Sequence, residues 1–236
     1  MSEIPEGSGK PRSPVWTARY EVPEITEKIK QILLERIEEK EPPTRIWLTD
    51  TVYCGRKKLF RMLGFGRQRF SEVALNKIWL GLIVEAELEK LGIAGQVPVE
   101  YRGIRGKIDV LLDTDEPLEV KTSTSLYVTA SDYARTHVEQ LSRYCLAKGV
   151  GTGVLVYYVP GIAITSLPVI RYHFDLDEVK RVTDERIDLL EEAVRQRDPF
   201  LLPATWHSRT MDNWECRDCV FYHLCRQGSM EGVLRV

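Results

Sequence analysis

The segment 106–122, which reads GKIDVLLDTDEPLEVKT, constrains the fold more than any other part of the chain. Its two apolar runs, 108–112 and 118–122, have the length of short strands. The stretch between them is rich in acidic residues and ends in a proline, a composition that favours turns. The sequence therefore predicts a β-hairpin at this position, and a sheet at the centre of the fold.

The pattern along the rest of the chain predicts helices before and after this hairpin. Apolar residues recur at helical spacing in the predicted helices 23–40, 50–63, 71–91, 131–148 and 177–197, and the further strands are 97–101, 152–159 and 169–174. Pro98 confines the first strand to a sheet edge. The predicted fold class is α/β (α+β). Its expected segments are a disordered N-terminus (1–14), a helical region (15–95), a core (96–200) and a Cys-rich C-terminal segment (201–236).

Two carboxylates and a lysine are predicted to meet on the hairpin. Because side chains two apart on a strand point to the same face, Glu119 and Lys121 should project together. Asp109, on the first strand, should reach the same end of the sheet. Carboxylate oxygens suit a hard cation such as Mg²⁺ or Mn²⁺, which can activate water at a phosphodiester, and the amine can assist. An ordinary surface hairpin with a Glu–Lys pair is the alternative interpretation.

Two predicted helices carry further polar side chains that can face this site. Glu85 follows Gly81 by four residues and is either a third metal ligand or part of a solvated acidic face. Gln140 and Tyr144 also lie four residues apart, so both can point from one helix towards the site. Glutamine can bond water or a phosphate, and tyrosine can stack on a base. Core packing for Tyr144 and a backbone hydrogen bond for Gln140 are the alternatives.

The cysteine spacing predicts a metal centre. Three cysteines, Cys216, Cys219 and Cys225, are close together near the C-terminus, whereas Cys54 lies near the start. Disulfides are not expected with an odd number of cysteines in a cytoplasmic protein, and four thiolates suit an iron–sulfur cluster or zinc. The one-plus-three arrangement favours the cluster. The fifth cysteine, Cys145, is expected to fill the core.

Composition limits the class of protein. The formal net charge is −2 and the pI about 6.2, so the chain as a whole is not basic. The segment 56–69 nevertheless carries six basic residues and no acidic one, and is either a phosphate-binding patch or a solvated helix face. The sequence contains neither a long apolar run nor a secretory leader, which predicts a cytoplasmic protein. The scarcity of asparagine and glutamine favours a thermophilic source for the protein.

Taken together, the chain resembles the CRISPR-associated RecB-like exonucleases (the Cas-four family) and, more distantly, the nuclease domains of RecB and AddB. The resemblance covers roughly residues 45–230. It rests on a helix Thr-x-x-x-x-Cys54, Gly106-x-x-Asp109, Glu119-x-Lys121, Gln140-x-x-x-Tyr144 and Cys216-x₂-Cys219-x₅-Cys225. Each motif is modest by itself, but five in this order are specific.

The resemblance implies a restriction-endonuclease-like PD-(D/E)xK core that cleaves single-stranded DNA or DNA ends. Asp109 and Glu119 then bind the metal, and Lys121, Gln140 and Tyr144 complete the catalytic set. By the same resemblance, Cys54, Cys216, Cys219 and Cys225 hold an iron–sulfur cluster, with [4Fe–4S] as the default and [2Fe–2S] as the alternative. The family usually has a histidine where this chain has Glu85, which is kept as a metal ligand.

Two functional hypotheses follow. The first is a metal-dependent exonuclease that processes DNA for CRISPR spacer acquisition, with CRISPR integrases as partners. The second is a non-catalytic DNA-binding subunit with a structural four-cysteine metal centre. The carboxylates and the lysine of the hairpin favour the first.

Overall fold

The computed structural model describes the chain in several stretches. They are residues 43–66, 78–84, 95–123, 132–161, 167–207, 214–217 and 219–234, with the single positions 24, 27, 28, 31, 75 and 86. The predicted disorder of 1–14 therefore lies outside the described residues. The chain divides into two compact units, Met1–Ile37 and Glu38–Val236, and the described residues of the first unit are helical. Among the described residues, no helix is long and apolar enough to span a membrane.

Five strands form one mixed sheet in the second unit. They are β1 (Gly95–Tyr101), β2 (Ile104–Leu111), β3 (Pro117–Thr122), β4 (Thr152–Tyr158) and β5 (Val169–His173), and they lie in that order across the sheet. Strands β3 and β4 are parallel, and the other neighbours are antiparallel. The sheet is therefore a meander of three strands followed by a crossover, and β1 lies at the edge, as Pro98 predicts.

In the described part of the second unit, the named helices are α1 (Gly55–Met62), α2 (Asp132–Lys148), α3 (Leu176–Gln196), α4 (Trp214–Arg217), α5 (Tyr222–Cys225) and α6 (Met230–Leu234). Short 3-10 helices occur at Leu48–Thr51 and Pro199–Leu201. Residues 78–84 are also helical, in agreement with the predicted third helix. The mixed α and β character that the sequence predicts is confirmed.

Helix α2 lies directly on strand β4, because β4 carries a glycine at the contact. A Cβ atom at Gly153 would be 2.7 Å from Cys145 Sγ and 2.9 Å from Leu141 Cδ1. Leu141 and Cys145 are fully buried in a core cluster with Leu155 and Tyr157. The prediction that Cys145 fills the core is therefore confirmed.

The helix predicted over 50–63 is interrupted. The Leu48–Thr51 turn ends before Cys54, whose backbone is not helical and whose thiol accepts a hydrogen bond from the N–H of Lys57. Cys54 therefore caps α1 instead of lying within a helix. At the next position, a Cβ atom at Gly55 would be 3.0 Å from Leu190 Cδ2, so glycine allows the start of α1 to approach α3 closely.

The basic segment 56–69 is only partly available to a ligand. Lys58 is buried and forms a salt bridge with Asp50 at 3.1 Å. Arg56 donates from Nε to the carbonyl of Leu202 at 2.8 Å. The basic residues at 67 and 69 lie outside the described residues. Two of the six basic residues are thus engaged inside the protein.

Candidate active site

Strands β2 and β3 bring two carboxylates together. The ladder pairs Val110 with Leu118, so the next residues across the two strands are Asp109 and Glu119. Asp109 accepts a hydrogen bond from the backbone N–H of Val120 at 3.0 Å through Oδ2. The carboxyl group of Asp109 also interacts with that of Glu119, so the two acids are neighbours. The hairpin predicted from the sequence therefore places both acids at one position of the sheet.

Lys121 shares the face of Glu119, as the two-residue period of a strand predicts. Its Nζ donates to Glu119 Oε1, and it donates to Gln140 Oε1 at 3.2 Å. Glu119 is 0% exposed, so water does not reach its carboxylate. The positive charge of Lys121 neutralises that carboxylate instead. The arrangement is a compact group of two acids and one base.

Gln140 connects this group to helix α2. Its Nε2 donates to Glu119 Oε1 at 2.7 Å and to the hydroxyl of Tyr144 at 3.0 Å. Tyr144 is buried and packs against Gly106, where a Cβ atom would be 3.2 Å from the tyrosine ring. The glycine, the glutamine and the tyrosine of the sequence motifs thus belong to one contact between α2 and the sheet.

Sequence reasoning missed Tyr53. Its hydroxyl donates to Gln140 Oε1 at 3.0 Å across 87 positions of the chain. Tyr53 lies in the break between the 3-10 helix and α1, next to Cys54, and nothing in its spacing relates it to the hairpin. Its position beside a predicted ligand cysteine is the only sequence signal that could have pointed to it.

A buried histidine also lies next to the site. His137, one turn before Gln140 on α2, forms a 3.1 Å hydrogen bond between Nδ1 and the hydroxyl of Tyr157. Tyr157 is the β4 partner of Lys121 in the sheet. Burial lowers the pKa of His137 to about 3, and the charge of Lys121 adds to this effect. The imidazole is therefore neutral at ordinary pH.

The charges of the site act on one another. Burial raises the pKa of Asp109, and the charge of Lys121 opposes this rise. Burial by itself lowers the pKa of Lys121, but the negative charges of Glu119 and Asp109 outweigh it and raise that pKa. Among the protein groups alone, the carboxylates therefore prevail over burial.

An ion-paired framework holds α2, α3 and the segment before Tyr53 together. Arg186 donates from Nη1 to Glu139 at 2.8 Å and to the carbonyl of Thr51 at 2.7 Å. His207 adds a 3.0 Å hydrogen bond from Nε2 to the carbonyl of Val52. Because Glu139 precedes Gln140, these contacts fix both the glutamine and the turn segment that faces it.

The third acidic ligand predicted from the sequence, Glu85, lies outside the described residues. Among the residues that the structure describes, no group of three or more His, Cys, Asp or Glu side chains is close enough to hold a metal ion. Mg²⁺ commonly uses only one or two protein carboxylates and completes its shell with water and substrate phosphate. The neighbouring carboxyls of Asp109 and Glu119 therefore provide a donor set of the right chemistry.

Cys219 and Cys225 lie near Cys54, and Cys216 lies near Cys225, but in the described part of the chain these cysteines do not form a group close enough to hold a metal ion. Burial raises the pKa of the Cys54 thiol to about 12, and the neighbouring Cys219 and Cys225 add to the rise. Burial also raises the pKa of Cys225 to about 11, with contributions from Cys219 and Cys216. None of the four forms a disulfide. Cys219 and Cys225 pack against an apolar cluster that includes Phe60 and Phe221.

Comparison with solved structures shows the same fold in one protein of known structure, SSO0001, and weaker similarity to two others. SSO0001 is 22% identical, and the match covers 85% of this chain and 95% of that one at a TM-score of 0.53. A phage-related exonuclease from Haemophilus somnus 129PT is 13% identical, with 60% and 79% coverage and a TM-score of 0.49. An alkaline exonuclease from Laribacter hongkongensis is 11% identical, with 70% and 95% coverage and a TM-score of 0.49. No curated protein matches by sequence.

The family match covers most of the sequence. The model of the PD-(D/E)XK nuclease superfamily matches residues 17–226, a range that includes the hairpin, helix α2 and all five cysteines. The matched range also includes Asp109, Glu119 and Lys121. The chain belongs to the PD-(D/E)XK nuclease superfamily.

Proposed function

We propose that this protein is a Mg²⁺- or Mn²⁺-dependent deoxyribonuclease that acts as an exonuclease on single-stranded DNA or DNA ends. The observation that carries the proposal is the convergence of Asp109, Glu119 and Lys121 at one position of the sheet. Membership in the superfamily supports nuclease activity, and its members typically use these two metals. The resemblance to RecB-like exonucleases supports the choice of DNA and of end-directed cleavage.

Each residue of the site has a proposed role. Asp109 and Glu119 hold the cation, with Glu85 as a further ligand. When bound, the cation supplies Lewis-acid activation of water and neutralises charge at the scissile phosphate. Lys121 places a positive charge beside the carboxylates, where it can stabilise negative charge on the phosphate. Gln140 and Tyr144 orient the lysine, the carboxylate and the DNA strand.

The proposal is tested by cleavage of end-labelled DNA with Mg²⁺ or Mn²⁺, and with a chelator. We expect cleavage that depends on the metal and is lost in Glu119→Ala. Covalently closed circular DNA should resist cleavage if the activity is end-directed. Metal-dependent binding with equal, background-level cleavage by both proteins would instead favour a non-catalytic DNA-binding subunit.

We further propose that Cys54, Cys216, Cys219 and Cys225 hold an iron–sulfur cluster, [4Fe–4S] by default and [2Fe–2S] as the alternative. The proximity of Cys219 and Cys225 to Cys54, and their packing against apolar side chains, support it. A cluster here would close about 160 residues of chain and stabilise the fold. Metal analysis and a visible spectrum of anaerobically purified protein test this, and a colourless protein with bound zinc would overturn it.

The proposed biological role is the processing of DNA for CRISPR spacer acquisition, together with CRISPR integrases. Support for this role comes from the resemblance to the CRISPR-associated family alone. It is tested by co-purification with integrase proteins from the same source, and by trimming of overhangs on short duplexes before integration. Integration of equal efficiency with and without the nuclease would contradict it.

A further inference from the structure

The side-chain amide of Gln140 makes four hydrogen bonds, and one of them is to Tyr53, a residue that the sequence did not predict for the site. The amide nitrogen donates to Glu119 and Tyr144, at 2.7 and 3.0 Å. The amide oxygen accepts from Lys121 at 3.2 Å and from the hydroxyl of Tyr53 at 3.0 Å. A carboxamide has two donor and two acceptor positions, so this set uses its full capacity.

The chemistry of the partners determines which way the amide points. An ionised glutamate can only accept, and a lysine ammonium can only donate. Gln140 must therefore turn its nitrogen towards Glu119 and its oxygen towards Lys121. The hydroxyl of Tyr53 adds a second donor on the oxygen side, which makes the flipped orientation still less favourable.

The position of Tyr53 is set by the C-terminal segment. The backbone N–H of the next residue, Cys54, donates to Glu215 Oε1 at 2.8 Å. The ring of Tyr53 contacts that of Trp214 edge to face, with 6.5 Å between the ring centres. The thiol of Cys54 also donates to the carbonyl of Ala204 at 3.3 Å. Tyr53 thus joins the cysteine-rich region to the acid site.

We propose that Tyr53 is a positioning residue of the nuclease site: its hydroxyl holds the Gln140 carboxamide in the orientation that Glu119 and Lys121 require, and its ring couples that orientation to the C-terminal segment. This inference rests on the proposed function and adds a residue to the same site. Tyr53 acts through Gln140, so its removal should slow the reaction without removing a metal ligand.

The test compares Tyr53→Phe, which deletes only the hydroxyl, with the wild type. We expect kcat to fall about tenfold, as for the loss of one hydrogen bond in a catalytic network, with KM for DNA changed less than about twofold. Tyr101→Phe is the matched control, because Tyr101 also donates one hydrogen bond, to Asp184 at 2.9 Å, away from the site. Tyr101→Phe should cleave at the wild-type rate.

A double-mutant cycle separates positioning from general destabilisation. In a Gln140→Ala background, Tyr53→Phe should have almost no further effect on kcat, because the group that it positions is gone. Additive losses, or a wild-type kcat for Tyr53→Phe, would overturn the inference. If the wild type itself cleaves no DNA with Mg²⁺ or Mn²⁺, the proposed function fails, and this inference fails with it.

An NMR measurement, which needs no catalytic turnover, tests the same positioning role. The side-chain amide signals of Gln140 in a ¹H–¹⁵N spectrum, assigned by their loss in Gln140→Ala, should shift in Tyr53→Phe and not in Tyr101→Phe. They should also shift in Trp214→Leu if the C-terminal segment positions Tyr53. Unchanged signals in Tyr53→Phe would overturn the positioning role, and unchanged signals in Trp214→Leu would overturn the coupling.

Discussion

Gln140 Nε2 lies 2.7 Å from Glu119 Oε1, and this hydrogen bond joins helix α2 to strand β3. Glu119 is fully buried, so its charge depends on the donors that the fold brings to it. Helix α2 supplies one donor, and Lys121 on the same strand supplies another. Because one donor comes from α2, the packing of this helix on the sheet determines the surroundings of the Glu119 carboxylate.

The first prediction concerns Gln140→Ala. This change removes a donor to the buried Glu119 and leaves the Tyr53 hydroxyl and Lys121 without the amide oxygen. We expect kcat to fall by about 10- to 100-fold, since two or more hydrogen bonds of a positioned network are lost. Steady-state cleavage of labelled DNA measures it. Gln196→Ala, on the exposed end of α3, is the control and should leave kcat unchanged.

The second prediction concerns Lys121→Ala. This change leaves two neighbouring carboxylates without their cation, and Glu119 is buried. We expect the free energy of unfolding to fall by on the order of 3 kcal/mol, the usual cost of breaking a buried pair. Added Mn²⁺ should restore more stability to this variant than to the wild type, because it replaces the missing positive charge.

Urea denaturation with and without Mn²⁺ measures both effects. Lys180→Ala removes an exposed pair with Asp184 and serves as the control, with no measurable loss and no extra response to Mn²⁺. An equal response of wild type and Lys121→Ala to Mn²⁺ would show that the cation does not bind beside these carboxylates.

The site contacts that depend only on the spacing of side chains within one strand or one helix could be predicted from the sequence. The two-residue period of a strand places Lys121 beside Glu119, and the four-residue spacing on a helix places Gln140 beside Tyr144. Both relations depend only on geometry within one element. The hairpin also predicted that Asp109 reaches the same end of the sheet as Glu119, whereas the register that makes them neighbours came from the structure.

Relations that depend on tertiary packing could not be predicted in this way. The contact of Tyr53 with Gln140 spans 87 positions and requires the break before Cys54. That break follows from the turn at Leu48–Thr51, where the N–H of Trp47 donates to Asp50 at 2.7 Å. Likewise, the charge pattern of 56–69 could not reveal that Lys58 pairs internally with Asp50.

The third prediction concerns Gly153→Ala, where helix α2 rests on strand β4. The new Cβ would lie 2.7 Å from Cys145 Sγ and 2.9 Å from Leu141 Cδ1, so α2 must move away from the sheet. We expect a loss of about 1–3 kcal/mol in the free energy of unfolding, as for other overpacked cores. A fall in cleavage should accompany it, since α2 carries Gln140.

The control for this change is Gly151→Ala, where the nearest atom is the carbonyl oxygen of Phe174 at 3.6 Å, an ordinary contact. Chemical denaturation of both variants gives the comparison. Adding Cys145→Ala to Gly153→Ala should recover part of the loss, because the sulfur is the closest obstacle. A Gly153→Ala protein as stable as Gly151→Ala would contradict the close contact of α2 with β4.

The fourth prediction concerns the pH dependence of stability. Burial, assisted by the charge of Lys121, lowers the pKa of His137 to about 3 in the folded protein, whereas an unfolded histidine titrates near 6.5. The unfolded chain therefore binds a proton that the folded chain does not, and stability falls as the pH drops below about 6.5. The expected slope for one proton is about 1.4 kcal/mol per pH unit, so about 2 kcal/mol is lost by about pH 5.

His137→Asn isolates this contribution, because asparagine can keep a hydrogen bond to Tyr157 but does not titrate. Urea denaturation of both proteins between pH 5 and pH 8 gives the two stability curves. The wild type should lose about 2 kcal/mol more than the variant on going from pH 7 to pH 5, and the two curves should run parallel above about pH 7. Parallel curves over the whole range would mean that His137 is protonated in the folded protein as readily as in the unfolded chain. The buried imidazole that bonds Tyr157 would then not be held in its neutral form.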